Sequence, residues 1–350
     1  MLSGNYEVLS TKIFFAVAGA QHDPGRAAVL ATVLLGFTLV AFWLQQRWLG
    51  RLSYVTVSGK GDGGMPAMLP RSLWLACFGT AVAWISFTLI CYAVIIAGGF
   101  VKDIGRGDMT LTVTHFAAGF GIEWDAGGLH FRGSAWDSFF TTIEVAAVSA
   151  PLTAAIGLLA AYVITRHRFA GRRTFEFLTM VSFAIPGTVI GVSYIVAFNV
   201  PPLELTGGMA ILVLCFVFRN MPVGVRAGVA ALAQIDKTLD EASATLRAST
   251  LRTLRRVVLP LLRPAILATM VFSFTHAMTA VSAVIFLATA KYNLATVYII
   301  GRVEAGEYPL AIAYSSVLIV FMLAVLLAVQ KMVGEARLGR RAANVLATGH

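Results

Sequence analysis

Seven apolar stretches divide this chain, and they fix the solvent in which it can fold. They run at about Ala27–Gln45, Ser72–Val101, Ser138–Ile164, Phe177–Phe198, Thr206–Arg226, Pro264–Leu287 and Pro309–Gln330. A helix needs roughly 20 apolar residues to cross a hydrocarbon core, and within lipid each backbone amide must be satisfied inside its own segment. The pattern therefore predicts an all-α polytopic membrane protein with about seven transmembrane helices. Composition agrees: 58% of residues are hydrophobic and 13% charged, against roughly 45–50% and 25% in soluble domains. Cys77, Cys91 and Cys215 all fall within apolar runs, where cysteine is a small packing residue rather than part of a disulfide or metal set.

The net charge of +10 suggests nucleic acid until its distribution is read. If the N-terminus is outside, Lys and Arg number four in 46–71, four in 165–176, eight in 219–263 and four after Gln330. That places 20 of the 27 on the cytoplasmic side. Lys12, Arg26, Lys102, Arg106, Arg132, Lys291 and Arg302 remain outside. Basic residues retained on the cytoplasmic side set membrane orientation, so the excess is topogenic and implies no nucleic-acid partner. Residues 1–25 carry Glu7 and Asp23 and lack the basic-then-apolar order of a cleavable leader.

Three regions separate the spans. Residues 46–71 hold a Gly-rich turn, Gly59 to Gly64, and read as a cytoplasmic linker. Residues 102–137 contain Asp103, Asp108, Glu123, Asp125 and Asp137 among alternating apolar positions, an external loop. The fifth span is the shortest, because its apolar run ends at Phe218. It must continue through Arg219 and Pro222 or be shortened by tilt and local thinning, with Arg219 near the inner boundary snorkelling toward the headgroups. Pro151 and Pro186 lie inside the third and fourth spans, and Gly187 and Gly191 permit close helix approach.

The third region, from Thr238 to Pro264, is polar, basic and doubly helical. Thr238-x-x-Glu241 matches a capping box, and Asp240 and Glu241 suit the positive end of a helix. Ala242, Ala244, Leu246 and Ala248 follow, then a second segment from Leu251 to Leu259 carrying Arg252, Arg255 and Arg256. Pro260 and Pro264 close it. This order resembles the signature loop of the permease subunits of binding-protein-dependent ABC importers. The family pattern is Glu-Ala-Ala, a Gly four residues on, and an apolar–Leu-Pro ending. The chain has Glu241-Ala242-Ser243, then Leu246-Arg247-Ala248, then Val258-Leu259-Pro260. Ser243 replaces an Ala and Arg247 replaces the Gly. Arg disfavours the left-handed turn that Gly permits, so the turn is expected to begin at Ser249, a suitable cap for the second helix.

The whole stretch looks most like the ferric-iron branch of these permeases, whose members are two fused repeats. The resemblance implies a C-terminal part of such a protein. Residues 1–70 would be the tail of a preceding repeat, 71–331 a six-helix permease domain, and 332–350 a basic cytoplasmic tail. It also implies a bacterial inner-membrane location, with the N-terminus of the chain periplasmic and the C-terminus cytoplasmic. The implied partners are a cytoplasmic ABC ATPase dimer, a periplasmic solute-binding protein, a second permease repeat or subunit, and membrane lipid. No cofactor would be bound directly, since ATP and Mg belong to the ATPase. The chain itself has no GxxxxGK[ST] loop, and is expected to be a translocation subunit rather than an enzyme.

Polar residues within spans are candidates for the path. Thr275, Thr279 and Ser282 fall at i, i+4 and i+7 on the sixth span, one stripe that either lines an aqueous path or bonds neighbouring helices. Glu144 lies deep in the third span and either favours a cationic solute or snorkels outward. Ferric iron is the expected cargo, with aminoethylphosphonate as the alternative. An ion-coupled secondary transporter is the rival of another class, but it would need no docking loop and would use more intramembrane carboxylates.

Overall fold

The computed structural model describes residues 8–19, 23–49, 70–103, 105, 107–125, 128–236 and 238–333. The Gly59–Gly64 linker and the basic tail lie outside them, apart from the tail's first two residues. The described chain is mostly helical and divides into two compact units, 1–48 with 135–298, and 49–134 with 299–350.

The first unit begins with α1 (Leu9–Ala18) and α2 (Pro24–Leu49), followed by α5 (Trp136–Arg166), α6 (Arg172–Ala184), α7 (Gly187–Phe198), α8 (Met209–Ala233), α9 (Thr238–Thr245), α10 (Leu251–Leu261) and α11 (Arg263–Thr279). The second contains α3 (Arg71–Gly98), α4 (Thr114–Phe120) and α13 (Tyr308–Val333); α12 (Ala295–Glu304) carries the chain from one unit to the other.

Glycine sets how closely α5 and α8 pack. A Cβ on Gly157 would lie 2.9 Å from the Gly224 Cα and 3.1 Å from the Met221 carbonyl oxygen. One turn on, a Cβ on Gly228 would lie 2.6 Å from the Ala161 methyl. Lipid provides no hydrophobic drive between helices, so close backbone approach and interhelical hydrogen bonds hold such pairs together. A buried polar link adds α11: Asn220 Nδ2 donates to Ser273 Oγ at 3.1 Å, and Ser273 Oγ donates to Thr153 Oγ1 at 3.1 Å. α1 and α2 pack on α7 through Ile13, Ala16, Ala27, Ala31, Val189 and Val192.

Two expected spans are broken. Between α6 and α7 the chain bends by 107°. Ile185 is extended there (φ −79°, ψ 123°) and Pro186 precedes the first residue of α7, as expected where a proline ring excludes helical geometry from the residue before it. The sixth span ends early: α11 stops at Thr279, Ala280 is extended, and a short 3-10 turn follows at Val284–Phe286. With each bent pair counted as one span, the described residues provide up to seven crossings, five of them long single helices. The short fifth apolar run belongs to one of these, α8, which continues through Pro222.

In the second unit, Ser316 Oγ of α13 donates to the Ile95 carbonyl of α3 at 3.1 Å. The expected external loop contains two antiparallel hairpins, β1 (Val101–Asp103) with β2 (Asp108–Leu111) and β3 (Ile122–Asp125) with β4 (Gly128–Phe131), on either side of α4. The alternating apolar positions are the period-two signal of these strands. Lys102 pairs with Asp108 at 3.2 Å and Arg132 with Glu123 at 3.1 Å. The Asp108 carboxyl is held below its ordinary pKa, first by the Thr110 hydroxyl and N–H and then by Lys102.

Candidate coupling insert and translocation path

The insert between α8 and α11 is helix, turn, helix, as its sequence predicts. The capping differs from the expected box. The Thr238 N–H, which the box assigns to Glu241, goes to Asp236 Oδ1 at 3.0 Å. Glu241 lies near the start of α9, where negative charge suits the helix dipole, and Ala242 and Ser243 continue that helix.

Arg247 departs from expectation most clearly. It takes the left-handed conformation itself, with φ 55°. Leu246 donates its N–H to the Ala242 carbonyl at 3.1 Å, and Ala248 donates to Ser243 at 3.0 Å, closing the end of α9 around the arginine. Ser249 still caps the next helix, accepting the Arg252 N–H at 3.4 Å. Position 247 therefore demands the glycine-like geometry whatever residue is there. A non-glycine residue in this region costs about 1–2 kcal/mol, so Arg247→Gly is expected to stabilise the insert by about 1 kcal/mol. Amide exchange across 241–248 should slow. Unchanged protection would show that a local contact already offsets the strain.

The insert has an exposed end and an anchored end. Leu246 is 83% exposed and Leu251 72%. Val258 and Leu262 are buried against Ala161 of α5 and Leu232 of α8. Leu259 and Pro260, the family's closing pair, lie at the end of α10, after a π-helical turn at Leu254–Val258 and just before the 72° bend into α11. Arg166 Nη2 at the end of α5 donates to the Ile235 carbonyl at 3.2 Å just past α8, joining both long helices to the base of the insert. From sequence, Val258 was read only as the apolar position before Leu259-Pro260 and Leu262 was not singled out, because in a basic amphipathic segment a buried apolar residue looks like any other.

The path candidates do not gather into one stripe. Thr275 and Thr279 share α11, and the exposed Thr279 returns its hydroxyl to the Thr275 carbonyl at 2.9 Å. Ser282 lies past the end of that helix and accepts from Arg219 Nη2 at 3.4 Å. Glu144 is exposed on the face of α5 opposite the buried Thr142, Val145, Ala146 and Ser149, so it does not point into this unit's interior. Arg219 was expected at the span boundary. It is half-buried within α8, about 15 Å from Met209 at roughly 1.5 Å per residue. Its signal in the sequence was the polar pair Arg219-Asn220 interrupting an apolar run. Among the described residues, no three His, Cys, Asp or Glu side chains gather as a metal site.

Residues 154–334 match the family model described as binding-protein-dependent transport system inner membrane component. The chain is 45% identical over 344 residues to the ferric transport system permease protein FbpB of Actinobacillus pleuropneumoniae, covering 98% of this chain and 49% of that protein. It is 44% identical over 298 residues to the putative ferric transport system permease protein FbpB 1 of Haemophilus influenzae, covering 85% and 46%. The chain thus spans about half the length of these curated relatives. Its fold is that of a bacterial ABC transporter that imports alginate, with TM-score 0.59 at 15% identity, covering 74% of this chain and 94% of that one.

Proposed function

Since the chain belongs to the binding-protein-dependent transport system inner membrane components, we propose that it forms part of the membrane path of an ABC importer for ferric iron. The observation that carries this reading is the insert itself. Its free end presents exposed leucines, and its base is packed against the two long helices that cross at Gly157 and Gly224. A push on the free end is thereby delivered to the spans. Similarity to ferric permeases over nearly the full chain supports the cargo.

In this reading the insert is cytoplasmic, which places the start of α2 at the periplasmic face and the end of α13 at the cytoplasmic face. A cytoplasmic ATPase dimer would bind and hydrolyse ATP with Mg, and this chain would hold neither. A periplasmic binding protein would deliver the solute to the outer mouth, and a second permease half would complete the path. The exposed Glu144 face of α5 suits that second half better than lipid, because an intramembrane carboxylate faces protein or water.

The test is uptake of labelled ferric iron under iron limitation, with labelled aminoethylphosphonate alongside, in cells with and without the gene. Loss of iron uptake alone, restored by the wild-type gene but not by Glu241→Lys, is the expected result. Loss of phosphonate uptake alone would keep the machine and overturn the cargo. Full restoration of uptake by Glu241→Lys would overturn the coupling role.

A further inference from the structure

The permease reading makes no use of Arg219, which has no counter-charge among the described residues. Its Nη2 reaches Ser282 Oγ at 3.4 Å, and its Nη1 is buried with no hydrogen-bond partner. Among the described residues no carboxylate pairs with it. An ionised group within a membrane bundle is held by a partner or serves the path, and this one lacks the partner.

The surroundings add positive potential. A Cβ built on Gly187 would lie 2.6 Å from Arg219 Nη1 and would collide with Ser282 Oγ. Gly187 is the first residue of α7, whose cap, Pro186, offers no side-chain acceptor and whose first turn holds no acid. The unbonded N–H groups and partial positive charge of that turn thus lie beside a full positive charge. His276 is within electrostatic reach of Arg219, and its Nδ1 is also buried without a partner, as is Thr188 Oγ1. Arg219 Nη1, Ser282 Oγ and the start of α7 thus meet at Gly187, and among the described residues Nη1 has no acceptor there.

We propose that Arg219 and Ser282, with the first turn of α7, bind an oxyanion of the phosphate, sulfate, carbonate or carboxylate class. The guanidinium supplies charge and a planar donor fork, Ser282 supplies a hydroxyl, and the turn supplies backbone N–H groups. Of the three atoms nearest a Cβ on Gly187, Arg219 Nη1 and Ser282 Oγ are side-chain ends that can rotate aside, whereas Ser282 Cβ is fixed to its backbone. The consequence for transport rests on the permease reading: a bare cation is repelled at this layer, whereas one carrying oxygen-acid ligands is attracted.

The test is calorimetric titration of the complete permease complex, in detergent without added lipid, with inorganic phosphate and with sulfate. Saturable binding is expected, weakened tenfold or more in Arg219→Gln. Gly187→Ala, which keeps the charge and puts a Cβ against Arg219 Nη1 and Ser282, should weaken it as well, as should Ser282→Ala. These two carry the test if Arg219→Gln fails to fold. The site is overturned by equal phosphate affinity in the variants, by no binding of either anion to the wild type, or by a response to phosphatidylglycerol alone. Phosphate binding through Arg219 in a complex that imports some other solute would keep the site and overturn only the iron reading.

Discussion

Gly157→Leu is expected to destabilise the first unit strongly, while Gly79→Leu leaves the protein intact. At position 157 an added Cβ meets only backbone, the Cα and carbonyl carbon of Gly224 and the carbonyl oxygen of Met221, all within 3.1 Å. No side chain can rotate away, so α5 and α8 must separate. Separation pulls on everything the crossing supports, including the Asn220–Ser273–Thr153 hydrogen bonds that bring in α11. Overpacking a tight site costs about 1–3 kcal/mol even where neighbours can adjust; here the upper end of that range or failure to accumulate is expected. A Cβ on Gly79 of α3 meets nothing within 4 Å. The measurement is thermal unfolding in detergent, with an expected fall of about 5–10 °C for Gly157→Leu and little change for Gly79→Leu. Equal stability of the two variants would show that the α5–α8 crossing is not as close as described.

The reach of sequence reasoning follows from what hydropathy measures. It reports the free energy of moving a segment into lipid, a local property, and so it located the long helices well. It is blind to the backbone path within an apolar stretch. Residues 280–289 are more apolar than α11, so a single span was expected where the chain leaves the helix at Ala280 and Ser282 turns toward Arg219. The break at Pro186 was more legible, because proline restricts the preceding residue sterically.

Arg219 was misread for the same reason. The span was expected to continue through Arg219 and Pro222, but the apolar run ending at Phe218 placed Arg219 near its inner boundary. Arg219 lies within α8 instead, next to Asn220, whose partner Ser273 on another helix is 53 residues away and outside any local window. At Arg247 the motif position predicted the backbone better than the residue type did. The left-handed turn is imposed by the closing hydrogen bonds of Leu246 and Ala248, and those belong to the loop's geometry.

In the proposed function the insert docks on an ATPase and transmits its movement, and two substitutions should separate these two roles. Leu246 and Leu251 leave large apolar surfaces uncovered. Covering one such side chain against a partner stabilises the contact by about 1.5–3 kcal/mol, a factor of roughly 10–100 in affinity. Leu246→Glu removes that gain and adds a charge that must be desolvated, so the ATPase should no longer co-purify with the membrane subunits. The spans should still insert, because the side chain is 83% exposed. Val258 lies at the other end, with no exposure, against Ala161, Leu232 and Leu262. Val258→Ala opens a cavity there and weakens the anchor by about 2 kcal/mol, without touching the exposed leucines. The ATPase should remain bound and hydrolyse ATP while uptake falls, because movement of the insert is no longer passed rigidly to α5 and α8. Normal uptake in Val258→Ala would mean that the anchor transmits nothing, and force would then have to travel through the continuous backbone from α10 into α11. Loss of ATPase binding in both variants would instead show that the insert folds only when anchored, making docking and transmission one event.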